Sequence, residues 1–191
     1  MKISVTKEDL ASGLQAVQNI VGARSTLPIL SNVLLVAGAK RLELRATDLE
    51  VSVHATVSAE VEREGATSMP AKRLFGLVRE IEAGEIEIEV SDKEVATVQA
   101  SASKYKLNGI GADEYPQQAK FKESGKVKVP QAKFKEMIRK TGYAVSTDES
   151  RHVLNGINIV ITPDRLTLVA TDGRRLALVE EEIEGGIKGE F

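Results

Sequence analysis

Apolar and polar positions along the chain fall into one order that recurs: an alternating stretch, a stretch at helical spacing, then three more alternating stretches. Residues 2–6 alternate and predict a strand. Thr6 follows as an N-cap, with Glu8 and Asp9 in the first turn, where the positive end of the helix dipole favours acids. Leu10, Leu14, Val17 and Val21 then form one apolar stripe. Gly22, near Arg24, is the expected helix stop, and Pro28 keeps the connection extended. Strands are expected at roughly 30–37, 41–47 and 50–61, with turns at Gly38–Lys40 and Asp48–Glu50.

The order restarts after Gly65. Pro70 sits where a helix begins, Leu74, Phe75, Val78 and Ile81 make its apolar face, and Gly84 ends it. Strands at about 85–91, 94–101 and 104–110 follow, closing at Asp113-Glu114-Tyr115-Pro116. Two strand–helix–three-strand units thus make residues 1–119 a first domain, with a sheet on one side and two helices on the other. Residues 117–125 are polar and read as a linker. A third unit starts at Lys126, with a helix over 131–141 that turns Ala132, Phe134, Met137 and Ile138 inward. Gly142 breaks that helix, and strands follow near 153–161, 165–171 and 175–183. The fold class is α+β, with helices on one face of antiparallel sheets.

The recurrence is also literal. Arg41-Leu42-Glu43-Leu44-Arg45-Ala46-Thr47-Asp48 returns, 124 residues later, as Arg165-Leu166-Thr167-Leu168-Val169-Ala170-Thr171-Asp172. The same offset carries Val5 to Val129, Leu14 to Ile138, Val21 to Val145 and Leu30 to Leu154 without a gap. A period of this length means duplicated domains. Phe191 maps to Thr67, ahead of the next helix, so residues 120–191 read as the first half of a second domain. An apolar helix face and a sheet edge are then left uncovered, which favours non-native association.

Composition narrows the chemistry. The 191 residues hold no cysteine, which excludes thiolate metal sites, a Cys nucleophile and disulfides, and fits a cytoplasmic location. Residues 1–119 carry 13 basic and 17 acidic side chains, a balance of −4, whereas 120–191 carry 13 and 11. A sequence-specific DNA binder is usually more basic, but a local basic face suffices for loose phosphate contact. Lys133, Arg139 and Lys140 are expected to project from the third helix away from its sheet. Lys72, Arg73 and Arg79 hold similar places on the second helix, and Arg24 lies at the end of the first.

Enzyme-like features are few. Asp172-Gly173-Arg174-Arg175 admits a phosphate site, but Asp48 occupies the same place in the first copy and the string reads as a tight turn. His54 and His152 lie at non-equivalent positions and outside any metal-ligand spacing. Glu85, Glu87 and Glu89 alternate with isoleucine, as on a strand with one solvated face, and Glu180–Glu182 form a solvated strand end. No nucleophile-elbow, P-loop or dinucleotide fingerprint is present, and no cofactor is implied.

The chain resembles the bacterial sliding clamp family, the beta subunits of DNA polymerase III. The resemblance runs in order over essentially the whole chain. It is carried by Thr26-Leu27-Pro28-Ile29-Leu30, Ala46-Thr47-Asp48-Leu49-Glu50, Asp113-Glu114-Tyr115-Pro116, Leu154-Asn155-Gly156 and Ala170-Thr171-Asp172-Gly173-Arg174-Arg175-Leu176. It implies DNA-clamp domains, three per chain, closing head-to-tail into a homodimeric ring around duplex DNA, with helices lining the hole and no catalytic activity. The implied partners are DNA held loosely and without sequence preference, the replicative polymerase, the clamp loader and other proteins with clamp-binding motifs. Such motifs dock in a groove between the second and third domains. Leu154, Thr171, Gly173, Arg175 and Leu176 match its second-domain part, and Arg174 stands where the family often has His. Arg73, Leu77, Tyr105 and Leu107 fall at the implied ring interface. Arg24, Lys72 and His152 match positions that approach DNA, to which helix geometry adds Arg79, Lys133 and Arg139. With the third domain absent, a fragment is expected that does not close the ring. The competing readings are a stand-alone clamp-fold module that recruits replication or repair proteins without encircling DNA, and an enzyme using the Asp172–Arg175 turn.

Overall fold

Thr6 does two jobs in the computed structural model, which describes residues 1–21, 27–82, 84–117, 127–148, 150–184 and 189–190. It ends strand β1 (Lys2–Thr6), and its hydroxyl accepts the amide of Asp9 to cap helix α1 (Lys7–Val17). Leu10, Leu14, Val17 and Val21 are all buried, as their spacing predicts. The helix itself ends at Val17, before the expected stop at Gly22, which lies outside the described residues. The chain divides into two compact units, 1–119 and 120–191.

The first unit continues through β2 (Asn32–Gly38), β3 (Arg41–Thr47), β4 (Ser52–Ser58), β5 (Glu60–Arg63) and β6 (Gly65–Pro70). Helix α2 (Ala71–Glu80) and strands β7 (Glu85–Val90), β8 (Val95–Ala100), β9 (Ser103–Asn108) and β10 (Ile110–Gly111) complete it. The single strand expected over 50–61 is two strands. At Ala59 the chain leaves one sheet for another, its amide reaching the Lys40 carbonyl at 3.3 Å, so β4 pairs with β3 while β5 pairs with β1.

The expectation of one sheet is corrected in the same way. There are two antiparallel five-stranded sheets, ordered β5-β1-β7-β8-β9 and β10-β6-β2-β3-β4. Each half of the unit sends its first and last strands into the sheet built by the other half's central strands. Ile3 thus faces Ile88 and Val5 faces Ile86, while Thr67 faces Leu35 and Met69 faces Val33. One aliphatic core joins both sheets to both helices, α1 lying on β3 and β4 and against α2. Gly13 permits that approach, since a Cβ there would stand 2.8 Å from Leu44 Cδ1. Tyr115 locks the closing turn: it is 5% exposed, and its hydroxyl lies 3.3 Å from the Asn32 and Arg45 carbonyls. Burial raises its pKa above the ordinary tyrosine value.

The second unit holds α3 (Gln131–Thr141), β11 (Asn158–Ile161), β12 (Arg165–Thr171), β13 (Leu176–Glu182) and β14 (Gly189–Glu190), in the order β13-β12-β11-β14. Strands β12 and β13 occupy the positions of β3 and β4 moved on by 124. Strand β14 pairs Glu190 with Val160 and Gly189 with Ile161, the register of Ala66 on Val36 and Gly65 on Ala37. Residues 153–157, expected in a strand, instead contain the end of a 3-10 turn at His152–Leu154.

Helix α3 buries less than its sequence pattern predicts. Met137 is 1% exposed and Phe134 half-buried, but Ala132 is exposed and Ile138 is 41% exposed. The counterpart of Ile138, Leu14, is 1% exposed on a helix that packs against a second one; among the described residues no other α-helix lies in the second unit. The two positions therefore carry different energies. Leu14→Ala should destabilise by about 3 kcal/mol, a cavity cost, and Ile138→Ala by under about 1 kcal/mol, both read by urea unfolding of the chain.

Candidate functional site

The turn between β12 and β13 is built by side chains acting on backbone. Thr171 Oγ1 accepts the Gly173 amide at 3.1 Å and donates to the Arg175 carbonyl at 2.7 Å. Asp172 Oδ1 accepts the amides of Arg174 and Arg175 at 2.9 and 3.0 Å, and its Oδ2 accepts Arg175 Nε at 3.0 Å. Gly173 takes φ +86°, a left-handed conformation that suits glycine. The first copy repeats the device: Thr47 accepts the Leu49 amide, Asp48 accepts those of Glu50 and Val51, and Leu49 takes φ +83° despite its side chain. The amides of 173–175 are thus occupied by the protein's own oxygens and are not free to cradle a phosphate.

The turn fixes Arg175 and presents Leu176. The Arg175 guanidinium is tied to Asp172 and lies 5.7 Å from the centre of the Tyr143 ring. Leu176 is 63% exposed and sits opposite Thr171, and Leu178, 56% exposed, sits opposite Val169. Strand alternation therefore gathers Val169, Thr171, Leu176 and Leu178 on the outer face of the sheet, while Leu166, Leu168, Ala170 and Ala177 fill the inner one.

A loop brings Leu154 alongside. The Ser146 amide donates to the Leu154 carbonyl at 2.9 Å, and the Leu154 amide donates to the Arg151 carbonyl at 2.8 Å. With its nitrogen turned toward them, the Asn155 side-chain amide lies within hydrogen-bond reach of the carbonyls of Ser146, Asp148 and Arg151, which accounts for asparagine in Leu154-Asn155-Gly156. The result is an open groove of about 610 Å³ lined by His152, Val153, Leu154, Gly156, Val169 and Thr171 among others. Gly173, Arg174, Arg175 and Leu176 stand in and beside the adjoining turn rather than in its lining. Sequence reasoning missed Val153, which is 95% exposed, together with Val169 and Leu178. The period of two through Leu176, Leu178 and Glu180 held the signal for Leu178.

The basic side chains on the helices are less uniform than expected. Lys72, Arg73 and Arg79 are exposed on α2, Arg79 lying 5.8 Å from the Phe75 ring centre. Lys133 does not project from the sheet: its ammonium folds back onto Glu181 of β13 at 3.1 Å, because the strand's acidic end lies within reach. Lys140 pairs with Glu136 one turn away, whereas Arg139 is exposed. Arg24 lies outside the described residues. Leu77 and Leu107 are half-buried against the core, and Tyr105 is 41% exposed on β9, an edge strand of its sheet. His54 is exposed on β4, and among the described residues no cluster of metal-ligating side chains occurs.

The family model for the N-terminal domain of the DNA polymerase III beta subunit matches residues 1–119, and the one for its central domain matches 128–189. The chain belongs to the DNA polymerase III beta subunit family. It is 33% identical over 183 residues to the beta sliding clamp of Chlamydia trachomatis, covering 96% of this chain and 44% of that protein. To the beta sliding clamp of Synechococcus elongatus it is 34% identical over 185 residues, covering 95% and 49%. The crystal structure of the Bacillus subtilis sliding clamp superposes with a TM-score of 0.94 at 28% identity, covering 100% of this chain and 52% of that one. That of Caulobacter crescentus gives 0.91 at 32%, covering 100% and 53%. The chain thus spans about half the length of the curated relatives it matches. The DNA polymerase III beta fold expected from the resemblance is the fold observed.

The turn makes the second unit acid-sensitive. Hydrogen bonds from the Arg174 and Arg175 amides, then the Arg175 side chain, hold the Asp172 carboxyl below its ordinary value of about 3.9. A depressed carboxyl stabilises the fold fully above that ordinary value and loses its contribution as pH falls through the folded value. Asp172→Asn should therefore flatten the loss of stability below about pH 4, measured by thermal melts across pH.

Proposed function

We propose that these residues form the N-terminal and central domains of a DNA sliding clamp, a non-catalytic processivity factor that encircles duplex DNA and tethers the replicative polymerase. The observation that carries the reading is the match of two consecutive clamp domains, in order, on a chain whose second unit presents an open, largely apolar groove. In this reading the groove, with Leu154 and Thr171 in its wall and Gly173, Arg174, Arg175 and Leu176 beside it, takes the short apolar motifs of the polymerase, the clamp loader and other partners. Leu176 and Leu178 supply exposed apolar area, and Arg175, already held by Asp172, gives a pre-set cation.

Arg24, Lys72, Arg79, Arg139 and His152 face DNA. Lys133 can join them, since an exposed ion pair such as the one with Glu181 holds it only weakly. Scattered, hydrated cations suit sliding, because tight phosphate pairing would arrest it. Arg73, Leu77, Tyr105 and Leu107 meet the next protomer of a homodimeric ring, where the edge strand β9 offers its backbone for pairing. The third domain of the relatives completes both the ring and the groove, and the setting is cytoplasmic.

Two measurements test the reading. A labelled peptide carrying a polymerase clamp-binding motif should bind the chain, and Leu154→Ala or Leu176→Ala should each weaken binding by about tenfold or more in fluorescence anisotropy. Unchanged affinity in both variants would remove the groove from the account. The 191-residue polypeptide alone should leave circular DNA as fast as linear DNA in gel filtration, whereas retention on circles would show a closed ring.

A further inference from the structure

Tyr143 is a large ring left in solvent. It stands on a 3-10 turn, Gly142–Ala144, that follows α3. Ala144 pins that turn to the sheet, being fully buried and packed with Ala170 and Ala177. Tyr143 itself is 59% exposed and belongs to neither apolar cluster of the second unit. What its ring does meet is the Arg175 guanidinium, 5.7 Å from the ring centre. The pair is not needed to build the turn between β12 and β13. Moved back by 124, Tyr143 becomes Asn19 and Arg175 becomes Val51. The same turn nevertheless closes there, Thr47 accepting the Leu49 amide and Asp48 those of Glu50 and Val51. Ring and cation are thus additions of the second copy, beside its groove, and serve something other than closing the turn.

Asp172 alone would orient Arg175 loosely. Their ion pair uses Nε only, at 3.0 Å, and the Arg175 side chain is 58% exposed, where such a pair is weak. A ring over the guanidinium carbon adds a second contact, on the face of the group rather than at its edge. With Nε on Asp172 and the face on Tyr143, the Nη nitrogens are left without an acceptor among the described residues. They are paired donors in one plane, a fork that fits a carboxylate bidentately. The adjoining groove has no carboxylate in its lining to repel such a ligand.

We propose that Tyr143 is a positioning residue that sets the plane of the Arg175 Nη donors, and that the groove thereby prefers apolar peptides carrying a carboxylate beside Arg175. This preference rests on the groove reading above. To that reading it adds the charge of the peptide and a residue, outside the groove lining, that selects for it. The physical gain is preorganisation: a guanidinium already held in plane loses less rotamer freedom when the carboxylate arrives.

The test uses labelled peptides carrying a polymerase clamp-binding motif, each with either Asp or Asn at one of its polar positions. At one position the Asp form should bind the chain at least about fivefold more tightly than the Asn form in fluorescence anisotropy. Tyr143→Phe keeps the ring and should keep that preference. Tyr143→Ala should cut it to under about twofold while leaving the affinity for the Asn form unchanged. Equal weakening of both forms, or an undiminished Asp preference in Tyr143→Ala, overturns the proposal. In the free chain the Arg175 Nε–H proton should lie upfield, under the ring current, and move downfield in Tyr143→Ala but not in Tyr143→Phe. A resonance that stays in place in Tyr143→Ala overturns the positioning role. Equal binding of Asp and Asn forms at every position overturns the proposal and leaves the groove reading standing, whereas no binding by any peptide removes both.

Discussion

Reciprocal strand exchange is the constraint on which the first unit depends. A strand must pair its backbone groups, and a helix must bury its apolar face. Strand β1 finds β7 in the other half, and β6 finds β2, so neither half can finish its sheet by itself. The same exchange merges what would be two small cores into one aliphatic core spanning both sheets and both helices. In the second unit the counterpart segment, 127–130, carries no ladder among the described residues. Val127 and Val129 are half-buried, a cleft opens beside Phe134, and Ile138 reaches solvent.

The arrangement also determines where function can sit. Inward positions of the sheets are committed to core packing, so a site must be made from outward positions, turns and exposed helix faces. The groove follows that rule. Val169 and Thr171 are outward members of β12 walled in by the loop ending at Leu154, and Leu176 and Leu178 lie on the same face of β13 beside them. Asp172 and Thr171 spend oxygens on backbone amides, so the turn is a scaffold that positions Arg175 and Leu176. Among the cations of α2 and α3, Lys133 and Lys140 are paired with Glu181 and Glu136, while Lys72, Arg73, Arg79 and Arg139 are exposed.

Much of this was legible from residue patterns, for reasons that differ by element. Helix α3 was bounded by Pro130 before and Gly142 after, and β12 and β13 by a turn whose Asp and Gly have one physical use. Partnership between strands was not legible, because alternation tells which face is buried but not which strand lies alongside. The break at Ala59 was hidden for the same reason: both flanking segments alternate, and only the change of sheet separates them. Ile138 was misjudged because helical spacing marks an apolar face without saying whether anything covers it. Lys133 was misjudged because a long side chain can fold back onto Glu181. The shape of the groove was hidden too, since its wall is a 3-10 turn held by Asn155 where strand alternation was expected.

Native-state amide exchange tests the central claim directly, at concentrations low enough to keep chains apart. If exchanged strands are what complete each half, the amides of Ile3, Ser4 and Val5 should open only with the whole first unit, whereas those of Val127, Lys128 and Val129 should exchange by local opening at nearly free rates. Equal, global-level protection of the two segments would contradict it, showing that a single half can secure its first strand by itself.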